Sequence, residues 1–568
     1  MTRLFDEHIQ REVKSLNGKW SFKTDKSKVG KEKKWFLGLS DAKTVMVPSV
    51  WNAEFGMLSY EGAAWYEKSF YYSGGNLRLC FGAVMTECEV WLDGEYVGNH
   101  YGGFSEFSFI IPDVSAGTHC LTLMVDNSFG AQSIPQKKVD WYHYGGIIRD
   151  VTAETLRGIS ILNHRLEYDL NLDTGTTCAK AYVELYNSEN ESVTSPLSYK
   201  IGDKAGFAKP VTLSAHETLE IESDDIVIEN VEIWDPSSPR LYDISITTDS
   251  DDLFDRVGFR KVELSPEGII LNGKNIEILG VNRHEEHPDF GFAFPSQLMQ
   301  RDLDIIADLG CNSIRGSHYP ASRTFMDMLD ERGVLYWSEI PMWGWGFSPA
   351  ALGDPVVVER GLEMHREMIR YYYNHPSIII WGMHNEIHTE CEVSVPLTKK
   401  YYEFLKASGG NRIVTYATDK PLKDLALEYC DLISINSYFG WYEGDMYEWE
   451  KFIENVRKRR DELGLENKPV IFSEFGAAAL YGHHTFDNIH WTEEYQANVI
   501  EHALGLFHND PMCCGFYIWQ FCDVRTCLEA GINRARGFNN KGILNEYRKP
   551  KAAYYKVKEL YKSFKSNK

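Results

Sequence analysis

Two glutamates occupy positions where a carboxylate is expected to do chemistry. Glu386 ends the segment IIIWGMHNE, and Glu474 lies in the segment PVIFSEFG. Each segment is an apolar run typical of a buried β-strand, so each carboxylate is placed where its strand stops. Burying a carboxylate is costly unless the group is paired or used. Two of them at the carboxyl ends of parallel strands could serve as proton donor and nucleophile of a retaining glycosidase.

The competing interpretation of each glutamate is a structural ion pair at a strand end. That interpretation weakens because both glutamates occur in one strand-and-helix region and Asn385 stands directly before Glu386. An amide at that place could hydrogen-bond a sugar 2-hydroxyl and strengthen the bond in the transition state. Tyr438 could hold Glu474 in its ionised form.

The elements that must position these groups follow residue 257, where short apolar strands alternate with amphipathic helices. Two helical stretches end at glycine, Gly310 and Gly333. Eight alternations predict a (β/α)8 TIM barrel over residues 258–568. The predicted strands are EILGVNRHE, SIRGSHYP, VLYWSEIP, IIIWGMHNE, RIVTYAT, LISINSY, PVIFSEFG and GFYIWQFCD. Polar residues gather at their carboxyl ends, among them Arg283, His284, Arg315, His318, Asn436 and Asp523.

The first 257 residues read as short alternating strands. Residues 1–156 predict a jelly-roll β-sandwich, in which Asp93-Gly94 marks a hairpin. Residues 157–257 predict an immunoglobulin-like β-sandwich, which typically has about 100 residues. The chain is thus expected to be multidomain, with two β-domains before the catalytic barrel.

Composition narrows the partners. Lys plus Arg is 59 and Asp plus Glu is 82, giving a net charge of −23, which argues against a nucleic acid or an anionic membrane as partner. The first residues contain no apolar signal region, and no apolar run approaches the roughly 20 residues that span a bilayer. A cytoplasmic location is expected. The 11 cysteines lack a framework spacing, which indicates reduced thiols.

The residues quoted above resemble a known family. The pair Asn385-Glu386, the segment Ser473-Glu474-Phe475-Gly476 and the order sandwich, immunoglobulin-like domain, barrel are similar to glycoside hydrolase family 2 over nearly the whole chain. The resemblance implies that Glu386 is the acid/base, that Glu474 is the nucleophile and that no cofactor is needed. It also implies a homo-oligomer, a tetramer or a dimer.

The substrate is addressed by the segment ARGFNNKGI. Its Asn539-x-Lys541 triplet resembles the motif by which β-glucuronidases of this family bind the C6 carboxylate of the sugar. An ammonium and an amide are donors for an anionic group, whereas neutral galactose does not require a cation. The expected activity is a retaining β-glucuronidase acting on small-molecule or oligosaccharide glucuronides. A β-galacturonidase, which differs only at C4, stays open, and a β-galactosidase would leave Lys541 unexplained.

Other positions match the family residue by residue. The resemblance implies that Arg534 or Arg536 faces the carboxylate of the sugar. It also implies contacts to the sugar from Asp140, His318, Tyr438, Tyr442 and Trp519. The segment after the third barrel strand, Pro341 to about Val358, is short. We therefore expect an open mouth lined by Trp343, Trp345 and Phe347.

Two alternatives to hydrolysis are a metalloenzyme and a binding module without catalysis. HNEIH at 384–388 places two His four apart, but a zincin needs Glu directly after the first His, on a helix. HEEH at 284–287 and the pair at 483–484 lack further ligands, so no metal site is expected. A binding module without catalysis would require the loss of one carboxylate, and both are present.

Overall fold

A computed structural model of the chain describes residues 3–344, 346–531 and 533–566. The first region is a sandwich of two antiparallel sheets, whose strand orders are β1-β12-β5-β9 and β3-β2-β4-β10-β7-β8. Its strands are β1 (Val13–Ser15), β2 (Gly18–Asp25), β3 (Lys43–Val47), β4 (Ala63–Tyr72), β5 (Gly75–Phe81), β6 (Val84–Met85), β7 (Glu87–Leu92), β8 (Glu95–Tyr101), β9 (Phe107–Val114), β10 (Gly117–Asp126), β11 (Gly146–Ile147) and β12 (Val151–Leu156).

Alternation of side chains builds the core of this sandwich. In β2, Trp20 and Phe22 point inward and are buried, while their neighbours face outward. The predicted hairpin is confirmed, because β7 pairs with β8 across Asp93-Gly94. Both turn residues have positive φ, 52° and 87°, as a two-residue hairpin turn requires.

The second region is a smaller sandwich with its own apolar core. One sheet has the order β13-β14-β17, with β18 beside β14, and the other has the order β16-β15-β21-β22. Its strands are β13 (Ile159–Asn171), β14 (Thr176–Asn187), β15 (Val193–Ile201), β16 (Ala205–Leu213), β17 (Thr218–Glu222), β18 (Ile226–Ile228), β19 (Trp234–Asp235), β20 (Ser238–Pro239), β21 (Tyr242–Thr247) and β22 (Asp252–Val257).

The third region is a closed barrel of parallel strands, which confirms the predicted TIM barrel. All eight predicted strands are present: β26 (Ile278–Arg283), β27 (Ser313–Gly316), β28 (Leu335–Glu339), β29 (Ile378–Asn385), β30 (Ile413–Thr418), β31 (Ile433–Asn436), β32 (Val470–Glu474) and β33 (Cys513–Ile518). A three-stranded sheet packs against the amino ends of these strands; it comprises β23 (Val262–Ser265), β24 (Gly268–Leu271) and β25 (Lys274–Ile276). A short pair, β34 (Val524–Arg525) and β35 (Phe538–Asn539), follows the last barrel strand.

Helices surround the barrel, and the first two end at Gly310 and Gly333 in left-handed conformation, as predicted. The helices are α1 (Ser296–Leu309), α2 (Arg323–Arg332), α3 (Pro349–Leu352), α4 (Pro355–Tyr372), α5 (Val395–Ser408), α6 (Trp449–Glu462), α7 (Glu493–Asn509), α8 (Leu528–Gly531) and α9 (Ala552–Ser566). One predicted alternation is wrong. Residues 419–432, between β30 and β31, form turns and no helix, because the side chain of Asp424 accepts from the backbone of Ala426 and holds a turn.

Two further expectations concern location. Among the described residues, the helices are all too short or too polar to cross a lipid bilayer. All eleven cysteines lie in the described part of the chain and are free thiols, most of them buried.

Candidate active site

Both glutamates lie at the carboxyl end of the barrel. Glu474 is the last residue of β32 and Glu386 follows β29; every residue of these two strands is buried. The carboxylates themselves are 3% and 5% exposed. Glu386 has a φ of 51°, and its backbone N–H donates to Ala417 O at 2.8 Å. Gly344 packs so closely that a Cβ there would lie 1.6 Å from the Glu386 carbonyl oxygen, so the backbone of Glu386 is held from two sides.

Arg315, from β27, organises the floor of the site. Its guanidinium donates to Glu474 Oε1 at 2.7 Å and to Asn385 Oδ1 at 2.7 Å. Glu339, at the end of β28, accepts two further bonds from the same group at 3.0 and 2.9 Å. The Arg315 side chain has no solvent exposure. One buried cation therefore fixes Glu474 and Asn385 relative to each other.

Glu474 receives a second donor on its other oxygen. The Tyr438 hydroxyl donates to Glu474 Oε2 at 2.7 Å, the contact anticipated from the sequence. A carboxylate that accepts from a guanidinium and a phenol is stabilised as an anion. The arrangement therefore suits a group that must be ionised to attack.

Glu386 lies in the opposite environment. Burial, then the charge of Glu474, then that of Asp419 raise the pKa of Glu386 well above its ordinary value. In the described part of the chain its side-chain donor is the Asn436 amide, at 2.8 Å. A raised pKa favours the protonated form of a carboxyl, which is the form that a general acid needs. The two glutamates are therefore differentiated by their surroundings.

Asn385 offers a free donor beside the pair. Its carbonyl oxygen accepts from Arg315 and from Asn436, the latter at 3.0 Å. Its amide nitrogen is buried and has no partner among the described residues. A buried N–H without a partner is rare in folded proteins, and this one suits a substrate hydroxyl.

His318 and Trp519 form one wall. Their rings stack with centroids 5.1 Å apart, and His318 Nδ1 lies 2.7 Å from Glu339 Oε1. Burial and the neighbouring Arg315 guanidinium lower the pKa of His318 to about 3, so the imidazole is neutral. The sequence predicted both residues, but not Glu339, which orients the imidazole.

The negative charge of Asp419 contributes to the raised pKa of Glu386, and mutation of Asp419 tests this contribution. In Asp419→Asn, the alkaline limb of the pH profile of kcat/KM is expected to move down by roughly one pH unit. The reason is that loss of a nearby negative charge lets Glu386 lose its proton more readily. Asp431→Asn is the control, because Asp431 binds the Val414 N–H at the opposite end of β30. An alkaline limb unchanged in folded Asp419→Asn would contradict this account.

A second cluster lies on the Tyr438 side of the carboxylates. Lys541 Nζ donates to the Tyr442 hydroxyl at 2.5 Å and lies 5.3 Å from the Tyr438 ring centroid. Lys541 is 1% exposed. Burial, then the charge of Arg534, lower the pKa of Lys541 well below its ordinary value. An anionic ligand would relieve that cost.

Asp140 reaches this cluster from the first sandwich, on the segment between β10 and β11. Its carboxylate accepts from Asn539 Nδ2 at 2.9 Å and from Arg534 at 3.2 and 2.5 Å. Arg536, the other candidate arginine, pairs with Glu546 instead. The structure thus brings Asp140, Asn539, Lys541, Tyr442 and Arg534 together.

The mouth differs in part from the expectation. Phe347 is 2% exposed and belongs to the apolar core of the barrel, so its assignment to the mouth is wrong. Trp343 packs edge-on against Trp141, with ring centroids 5.9 Å apart. Trp345 lies outside the described residues.

The histidine pairs considered for metal binding point to separate partners. His384 Nε2 lies 3.0 Å from the Thr398 hydroxyl, and His388 Nε2 lies 2.9 Å from Phe347 O. In the described ranges, the groups with ligating geometry are His8, Asp251 and Asp252, and Asp327, Asp330 and His375. In each group one aspartate, Asp251 or Asp327, forms an ion pair with an arginine. That arginine occupies the carboxylate oxygens that a metal would need.

Comparisons with known proteins give consistent results. The profile of glycosyl hydrolases family 2, TIM barrel domain, matches residues 262–566, and that of glycosyl hydrolases family 2 matches residues 159–260. A β-glucuronidase of Paenibacillus borealis is 26% identical over 96% of both chains.

Two solved structures resemble the whole chain. A family 2 β-galacturonidase from Eisenbergiella tayi, bound to galacturonate, superimposes with a TM-score of 0.92 at 34% identity and covers 99% of both chains. A β-glucuronidase of Ruminococcus gnavus superimposes with a TM-score of 0.87 at 25% identity, covering 99% of this chain and 98% of that one.

Proposed function

Because the chain belongs to glycosyl hydrolases family 2, we propose that it is a retaining β-glucuronidase. The observation that carries the substrate class is the buried ammonium of Lys541, which lies with Asn539 beside the two carboxylates. A buried cation with a depressed pKa is costly unless an anion pairs with it. The C6 carboxylate of a uronic acid supplies that anion.

The first half of the reaction uses the different environments of the glutamates. Glu386 gives its proton to the glycosidic oxygen as the bond to the aglycone breaks. Glu474, oriented by hydrogen bonds from Arg315 and Tyr438, attacks C1 and forms a covalent glycosyl-enzyme. The Asn385 amide donates to the 2-hydroxyl, where a hydrogen bond strengthens as the transition state develops.

The second half reverses the roles. Glu386, now ionised, takes a proton from a water molecule that attacks C1, and the bond to Glu474 breaks. Two displacements at C1 release β-glucuronate, so the anomeric configuration is retained. Asn539 and Lys541 hold the C6 carboxylate throughout, with Arg534 facing the same carboxylate. The remaining ring positions are contacted by Asp140, His318, Tyr442 and Trp519.

A β-galacturonidase is the second candidate, because the E. tayi enzyme of that activity is 34% identical to this chain while the R. gnavus β-glucuronidase is 25% identical. Both sugars carry the same C6 carboxylate and differ only in the configuration at C4. A β-galactosidase is disfavoured, since a neutral sugar leaves the charge of Lys541 unpaired. A non-catalytic binding module has no use for two buried carboxyls held in different hydrogen-bonding environments at the barrel mouth.

The test compares 4-nitrophenyl β-D-glucuronide, β-D-galacturonide and β-D-galactoside at equal enzyme concentration. We expect kcat/KM for the glucuronide to exceed that for the galacturonide by about 10-fold or more, and that for the galactoside by about 10³-fold. A galacturonide preference would move the assignment to the second candidate. A galactoside preference would contradict uronate recognition altogether.

We also propose domain boundaries, a location and an oligomeric state, which do not depend on the active site. Domain boundaries near residues 156 and 257 are supported by the sheets, which end at Leu156 and Val257. A cytoplasmic location is supported by eleven free thiols. A homo-oligomer, tetramer or dimer, is tested by light scattering of the purified protein.

A further inference from the structure

Both chain neighbours of Lys541 are tied to one buried carboxylate. Asp523 Oδ2 accepts from the Asn540 side chain at 3.2 Å, and Asp523 Oδ1 accepts from the Gly542 N–H at 3.0 Å. Asp523 follows β33 and precedes β34, so it belongs to the barrel frame. The Lys541 backbone is therefore held on either side by a group that does not itself contact Lys541 Nζ.

Lys551 completes this tether from below. Its ammonium donates to Asp523 Oδ1 at 2.8 Å, to Asn540 O at 3.0 Å and to Ala479 O at 2.7 Å. Three acceptors use all three of its protons. Ala479 lies five residues after Glu474, so one side chain joins the segment after the nucleophile to the segment that carries Lys541.

The segment needs such support because it has little regular structure. β35 is two residues long, and residues 540 and 541 lie in a turn that follows it. The fit is tight, since a Cβ on Gly542 would lie 2.2 Å from Asp523 N. Neither Asp523 nor Lys551 is exposed. The position of the Lys541 ammonium thus depends on Asp523 and Lys551, which lie beneath its segment.

We propose that Asp523 and Lys551 are positioning residues that hold the segment Asn539–Lys541 and thereby set the preference for acid over neutral sugars. The inference rests on the proposed function, because it assumes that Lys541 binds a sugar carboxylate. A purely structural pair would stabilise the barrel and leave that preference unchanged. A positioning pair affects ligands that carry a C6 carboxylate far more than ligands that lack one.

The test measures binding of two ligands by calorimetry, isofagomine and its C6-carboxylate analogue, to the full chain. In Asp523→Asn, affinity for the carboxylate analogue is expected to fall about 10- to 100-fold, the scale typical of outer residues that orient a binding group. Affinity for isofagomine is expected to stay within about 3-fold. Equal losses for both ligands, or no loss for either, would overturn the proposal.

Asp302→Asn is the matched control. Asp302 is an unexposed carboxylate that pairs with Arg283 and Arg548 at 3.0 Å each, so its loss also strands buried cations. It is expected to lower the melting temperature while preserving the ratio of the two affinities. If Asp523→Asn does not fold, Asn540→Ala removes one bond of the tether and keeps the ion pair. It should then show a smaller loss confined to the carboxylate analogue, and loss shared by both ligands would refute the positioning role.

Binding to the wild-type protein distinguishes failure of the proposed function from failure of the positioning role. A wild-type protein that binds both ligands equally would refute the proposed function and the tether together. A wild-type preference for the carboxylate analogue that survives in Asp523→Asn and Asn540→Ala would refute only the tether.

Discussion

Replacing the proposed nucleophile, in Glu474→Gln, is expected to lower kcat by roughly 10⁴-fold or more. The amide has nearly the same shape, so Arg315 and Tyr438 keep a partner at each position. It cannot attack C1, however, and no covalent intermediate forms. Steady-state hydrolysis of the 4-nitrophenyl glucuronide and the melting temperature, measured together, separate a chemical loss from unfolding. Near-normal turnover would exclude Glu474 as the nucleophile.

Azide rescue of two truncated variants distinguishes the roles of the glutamates. In Glu474→Ala, azide can take the place of the nucleophile and give the α-glycosyl azide. In Glu386→Ala, a substrate with a good leaving group still forms the glycosyl-enzyme, and azide then gives the β-glycosyl azide. The configuration of the product, determined by NMR, therefore assigns each carboxylate. Exchanged configurations would reverse the assignment.

Lys541→Met is expected to lower kcat/KM for uronides by roughly 10²- to 10⁴-fold, the scale of removing one partner of a buried charge pair. Methionine preserves the apolar stem and deletes the cation. Activity on the matching neutral glycoside should change by no more than about 3-fold, because no carboxylate is present. Parallel kinetics on a uronide and its neutral counterpart measure the difference.

The pKa of Lys541 predicts the direction of a linked proton. Burial lowers that pKa in the free protein, and a bound carboxylate raises it, so uronate binding takes up a proton when the pH lies between the two values. Uronide affinity therefore falls as pH rises through the lower value.

Arg536→Met is the control, since Arg536 lies on the same segment but pairs with Glu546. Comparable loss of uronide and neutral activity in Lys541→Met would contradict carboxylate recognition.

The strand ends were the part of this site that sequence reasoning could predict. Glu386 and Glu474 each follow an apolar run, and a parallel barrel brings such ends together whatever the detailed register. The two sandwiches and all eight barrel strands followed from side-chain alternation and glycine stops. The missing helix between β30 and β31 was not predictable in this way, because a side-chain-to-backbone bond of Asp424 decides the turn.

The hydrogen-bond network that gives the two glutamates different surroundings could not be predicted from the sequence. The sequence places Arg315 and Asn436 at strand ends but indicates no role for them, and it does not single out Glu339. Their contacts cross the barrel: Arg315 on β27 reaches Glu474 on β32, and Asn436 on β31 reaches Glu386 after β29. Such contacts depend on the closure and register of the barrel and leave no local pattern in the sequence. Asp140 was anticipated only through the family resemblance, since no pattern in a β-sandwich indicates that one of its connections enters another domain.

The origin of Asp140 has a consequence for how new specificities can arise. The groups that break the bond belong to the barrel, whereas Asp140 contacts Asn539 and Arg534 from a connection of the first sandwich. Part of the sugar-binding cluster is therefore encoded outside the barrel that carries the two glutamates. Exchanging the first domain between relatives would change the Asp140 side of the sugar-binding cluster and leave the two glutamates and Lys541 in place. Any such chimera keeps its reaction and inherits part of its substrate preference from the donor.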